Sequence, residues 1–86
     1  MGTHDKIRQQ LQEVEEALQF AESQLNSAKQ VQGGDDLKFD EAQQQLEQVN
    51  MQIEHMLISA TAEQRDQLFR AQQRVNQMQN KMILGI

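Results

Sequence analysis

The side chains whose types could do chemistry are two histidines, a scatter of carboxylates and a few hydroxyls. Glu13, Glu15, Glu16, Glu22, Glu47 and Glu54 are the carboxylates to weigh as metal ligands. A di-metal site in a helical bundle needs inward-facing Glu together with a Glu-x-x-His pair one helical turn apart. Glu54 and His55 are adjacent instead, so these acids read as solvated helix faces and no metal site is expected. Ser23, Ser27, Ser59 and Thr61 have no neighbouring base that could turn a hydroxyl into a nucleophile. Gly33-Gly34 cannot cradle a phosphate, because Asp35-Asp36 follows directly and repels it. His55 lies on the outward side of a helical stretch, and His4 in the N-terminal segment is given no role. No catalytic residue and no cofactor are expected, and the chain does not read as an enzyme.

Positioning these residues falls to helices. The 86 residues hold 18 Gln and four Gly but no Pro, Cys, Trp or Tyr. An all-β chain needs a turn former after every short strand, so this composition argues against one. Without Cys there is neither a disulfide nor a thiolate zinc site, which suits a reducing compartment. No apolar run approaches the ~18 residues of a spanning helix, and the polar start lacks the apolar core of a signal peptide. Lys6 stands where the myristoylation pattern requires Ser or Thr. A cytoplasmic protein is expected.

Three apolar seams run along the chain. Ile7, Leu11, Val14, Leu18, Ala21, Leu25 and Ala28 alternate steps of 4 and 3, an unbroken heptad pattern with Leu11, Leu18 and Leu25 at position a. Thr3 or Asp5 is placed to cap this helix, and Gly33-Gly34 to end it. Phe39, Ala42, Leu46, Val49, Ile53, Met56 and Ala60 form a second seam behind an Asp35 or Asp36 cap. Continuing it would put Glu63 and Gln67 in the core. The pattern resumes out of phase with Leu68, Ala71, Val75, Met78 and Met82. Either the chain turns near Ser59-Ala60-Thr61, with Thr61-Ala62-Glu63-Gln64 as a capping box, or one helix runs through a local eleven-residue repeat.

The reading is a single all-α domain over 1–86, an antiparallel up-down-up three-helix bundle of coiled-coil type with helices about 5–32, 36–58 and 62–84. The alternative is a dimerising two-helix hairpin with one overlong arm. Folding about Gly34 sets Leu25 by Leu46, Leu18 by Ile53 and Val14 by Met56. Folding about Ala60 sets Ile53 by Leu68, Leu46 by Val75 and Phe39 by Met82. Many seam residues are Ala or Met, which bury little or specify packing loosely, so a homodimer is expected.

Charge is uneven. Residues 1–61 carry four Lys/Arg against eleven Asp/Glu, and residues 62–86 carry four against two. The net −5 repels phosphate backbones, so nucleic acid is not an expected partner. Apolar residues off the seams, or crowded at the end, mark a contact surface for a protein partner or a second copy. They are Phe20, Met51, Phe69, Met82, Ile83, Leu84 and Ile86.

Phe20-Ala21-Glu22, Ala42-Gln43-Gln44-Gln45-Leu46-Glu47, Ser59-Ala60, Gln64-Arg65-x-Gln67-Leu68 and Met82-Ile83-Leu84 resemble the small all-helical proteins of Bacillus-type spore-forming bacteria, the YtzC-like group. That resemblance implies a cytoplasmic bacterial protein and brings no catalytic residues. His55-Met56-Leu57 also resembles histidine phosphotransfer domains, which carry phosphate on an exposed histidine. Those domains place Lys and Gly next, where Ile58 and Ser59 stand here. The short aspartyl-phosphate phosphatases of sporulation have a Ser-Gln-x-Leu-Asp signature that Ser23-Gln24-Leu25-Asn26 does not meet. A non-catalytic, self-associating interaction or structural module is therefore the first functional reading. A phosphorelay regulator, docking on a response regulator or carrying phosphate on His55, is the second.

Overall fold

A computed structural model describes residues 3–30 and 36–85. Among them the chain forms α1 (Thr3–Gln30), α2 (Asp36–Leu57) and α3 (Ala62–Leu84), each packed against the other two in an all-α three-helix bundle. The bundle measures 46 × 21 × 15 Å. Helix α1 starts at Thr3, so Asp5 lies inside the first turn, where its charge suits the positive helix end, and does not precede the helix as a cap. The Gly33-Gly34 stop and the Asp35 cap lie outside the described residues; Asp36 is the first residue of α2, and its side chain and that of Ala28 lie outside what is described.

The seams form the core. Ile7, Val14, Leu18, Ala21 and Leu25 of α1, Ala42, Leu46, Val49 and Ile53 of α2, and Leu68, Ala71, Val75 and Met82 of α3 are all buried. Leu11, Phe39, Met56, Ala60 and Met78 pack against them half-buried. Among the described residues Gln10, Ala17 and Gln64 are also buried, off the seams. Gln10 and Ala17 occupy position g of α1, because a helix facing two neighbours buries a stripe wider than a and d alone.

The chain turns between α2 and α3, and no helix runs through. Backbone N–H groups of Ile58 and Ser59 bond back to His55 and Met56, both at 3.3 Å, which closes α2. Thr61 then starts α3 with a complete capping box: its Oγ1 accepts from the Gln64 N–H at 3.2 Å, and its own N–H donates to Gln64 Oε1 at 3.0 Å. Arg65 Nε donates to the Leu57 carbonyl at 3.3 Å and satisfies one of the acceptors orphaned at the end of α2. At the far end Gly85, with φ 74°, adopts the left-handed cap that a Cβ would disfavour, and its N–H reaches the Lys81 carbonyl at 2.8 Å.

Side chains flanking the seams report the register. Asn50 accepts from Gln72 Nε2 at 3.1 Å and donates to Asn76 Oδ1 at 3.4 Å, so α2 and α3 pair as folding about Ala60 requires. Helices α1 and α2 do not pair as folding about Gly34 requires. Gln10 Nε2 donates to Gln52 Oε1 at 2.9 Å, whereas the expected alignment sets Gln10 opposite Ala60, eight residues away. The seam repeats every seven residues, so sliding by about one heptad keeps apolar against apolar. Extending the observed register brings Val14 level with Val49 and Leu18 level with Leu46. Helices α1 and α3 run parallel, joined by a two-pronged Arg74–Glu15 ion pair whose second contact, Nη2 to Oε2, is 3.3 Å.

Candidate interaction surface

Six large apolar residues stand out in solvent among those described: Leu37, Met51, Ile58, Phe69, Ile83 and Leu84. None is on α1. Leu37 and Met51 are on α2, Ile58 follows its last residue, and the other three are on α3. Their spacing is regular. Leu37, Gln44, Met51 and Ile58 succeed one another every seven residues, as do Ala62, Phe69, Asn76 and Ile83. Seven residues are nearly two helical turns, so each set forms one stripe along its helix. Both stripes are exposed throughout, Met51 at 63% and Phe69 at 54%. On α2 a parallel acidic row, Asp40, Glu47 and Glu54, is exposed beside the apolar one.

The structure divides the residues expected from sequence. Met51, Phe69, Ile83 and Leu84 are exposed. Met82 is not: it is buried at 3% in the core, because its place on the α3 seam prevails over its place in the apolar ending. Phe20 is half-buried against the core on α1, apart from the two stripes, and Ile86 lies outside the described residues. Leu37 and Ile58 were not among the expected residues. Their seven-residue offsets from Met51 were the available signal.

His55 is exposed in the last turn of α2, on an open groove of about 600 Å³ between α1 and α2. Gln10, Glu13, Gln48, Met51 and Met56 share that groove, and no Lys or Arg lines it. Among the described residues no group of three or more His, Cys, Asp or Glu could hold a metal ion. No helix among them is long and apolar enough to cross a membrane.

An ion pair with shifted protonation lies between α1 and α3. The hydrogen bonds from Arg74 hold the Glu15 carboxyl below its usual range; burial opposes them less strongly, and the attraction of the guanidinium charge adds least. Reciprocally, Glu15 raises Arg74. Both side chains are about half exposed, so the pair fastens two helices weakly and offers no reactive group.

No solved structure matches the chain. Among curated proteins, uncharacterized protein YtzC of Bacillus subtilis (strain 168) is 32% identical over 84 residues, covering 98% of this chain and 93% of the relative. The family model described as protein of unknown function (DUF2524) matches residues 1–84, and the chain belongs to that family.

Proposed function

We propose that this protein is a non-catalytic helical interaction module, acting as one unit over its whole length in the cytoplasm and engaging protein through the stripes of α2 and α3. The observation that carries this reading is their placement. Among the described residues the exposed large apolar side chains are on α2, just past its end, and on α3, and none is on α1. Scattered surface leucines need no explanation, but aligned apolar rows bordered by charge mark contact surfaces. An amphipathic helix laid alongside would use the same seven-residue rhythm that packs the core.

The test is retention of partners by the tagged chain in its native host. Wild type is compared with the triple variant Met51→Ser/Phe69→Ser/Ile83→Ser, and any protein held is scored, a second copy included. The variant should lose what wild type retains while keeping its helical circular dichroism. Equal retention by both proteins refutes the reading. A version ending at Lys81, run beside them, separates the contribution of the stripes from that of the apolar ending.

A further inference from the structure

We propose, resting on the interaction reading above, that the occupant of these stripes is a second copy of this chain, with the α3 stripe of one molecule packed antiparallel on the α2 stripe of the other. The two rows complement each other position by position. Up α3 they read Ala62, Phe69, Asn76, Ile83; down α2 they read Ile58, Met51, Gln44, Leu37. Aligned antiparallel, Ala62 meets Ile58 of the second copy, Phe69 meets Met51, and Ile83 meets Leu37. At the remaining level Asn76 meets Gln44, so amide faces amide and no polar group is left against an apolar one.

Axial placement follows without strain. Within one bundle Asn50 already bonds to Gln72 and Asn76, which fixes the levels of α2 and α3. Those two bonds centre Asn50 near residue 74, whereas the proposed pairing sets it opposite residue 70, a shift of about one helical turn, ~6 Å. Two bundles side by side therefore stand almost level.

Charge selects this pairing over its rivals. Helix α2 carries Asp36, Asp40, Glu41, Glu47 and Glu54 against Lys38, whereas α3 carries Arg65, Arg70, Arg74 and Lys81 against Glu63 and Asp66. Glu47 and Glu54 flank Met51 and are exposed. Arg65 and Arg70 flank Phe69 and are also exposed. Arg65 spends one N–H on the Leu57 carbonyl, and Arg70 shares its charge with exposed Asp66 at 3.2 Å, which leaves donors on both. Packing α2 on α2 would oppose acids, and α3 on α3 would oppose bases. Only α2 on α3 brings unlike charges together around the apolar rows.

Complementary variants test this in the intact chain. Sedimentation velocity over a concentration series is run on wild type, on Met51→Lys, on Phe69→Glu, and on an equimolar mixture of the two, each checked for unchanged circular dichroism. Wild type should self-associate. Each variant alone should dissociate about tenfold or more readily, as loss of a central contact does. The mixture should recover association, because the introduced lysine then faces the introduced glutamate while the other contact is native. A wild type that stays monomeric, single variants that associate like wild type, or a mixture that stays apart would each overturn the proposal. A monomeric wild type that still holds some other protein through its stripes overturns the second copy and leaves the interaction reading standing.

Discussion

Removing the Thr61 hydroxyl tests whether local chemistry makes the turn that divides α2 from α3. Thr61→Ala deletes the acceptor of the Gln64 N–H, bonded at 3.2 Å, but keeps the backbone N–H that Gln64 Oε1 accepts at 3.0 Å. Losing an N-cap side chain costs about 1 kcal/mol. Gln64→Ala removes the other half of the box and strips a buried side chain from the base of the core, so it should cost more, about 1.5–2 kcal/mol. For a chain of 86 residues, each kcal/mol lowers Tm by about 4–8 °C. Thermal melts followed by circular dichroism at 222 nm should therefore show Thr61→Ala melting below wild type by roughly that interval, and Gln64→Ala lower again. The double variant should fall short of the sum, because the two bonds close one motif. Wild-type melting of Thr61→Ala would refute the idea that the capping box holds this turn. A rise in helical signal, with small-angle scattering showing a particle longer than wild type under the same conditions, would mean that α2 runs on into α3.

Three further outcomes follow from the packing. Leu46→Ala empties a fully buried site and should cost about 3–5 kcal/mol, read as a lower urea midpoint at unchanged slope. Gln10→Ala strands the Gln52 amide and should destabilise by about 1 kcal/mol, while the double change Gln10→Leu/Gln52→Leu should be neutral or stabilising. Because Arg74 lowers the Glu15 pKa in the folded state, the contribution of the pair is complete above the ordinary carboxylate pKa and is lost as pH falls through the folded value. Being half exposed, it amounts to less than about 1 kcal/mol. Urea melts of wild type and Glu15→Gln should differ at neutral pH and converge in acid.

Much of this architecture was legible in the spacing of apolar residues. Steps of three and four marked each helix, and the phase break before Leu68, together with Thr61 and Gln64, located the turn. The α1–α2 register was not legible, for a physical reason. A seam that repeats every seven residues packs equally well after a slide of seven, and the Gln10–Gln52 bond that settles the matter joins residues 42 positions apart. The surface was half legible. Met51 and Phe69 showed themselves by falling off the seam, whereas Met82 belonged to two patterns at once and the core claimed it. Leu37 near the start of α2 and Ile58 just past its end are tied to Met51 only by their seven-residue offsets, a weaker signal than a residue that interrupts a polar face.

Core seams cannot decide how the third helix is set against the first two, since a bundle and its mirror arrangement bury the same a and d residues. The flanking rows decide it. Position g of α1 faces α2 through Gln10 and Gln52, and position e of α1 faces α3 through Glu15 and Arg74. In the mirror arrangement Glu15 would face Gln43 and Asn50 of α2, and Arg74 would lose its carboxylate. Lys38 would also stand level with Lys81, like charge against like. Each term is worth only about 1 kcal/mol, yet 1.4 kcal/mol is tenfold in population, so a few together select one arrangement. Exchanging the charges with Glu15→Arg/Arg74→Glu should therefore restore near-wild-type stability. Glu15→Arg alone, which opposes two guanidinium groups, should lower the urea midpoint further than Glu15→Gln does. If the charge swap were no more stable than Glu15→Arg alone, the ion pair would have no part in choosing the hand of the bundle.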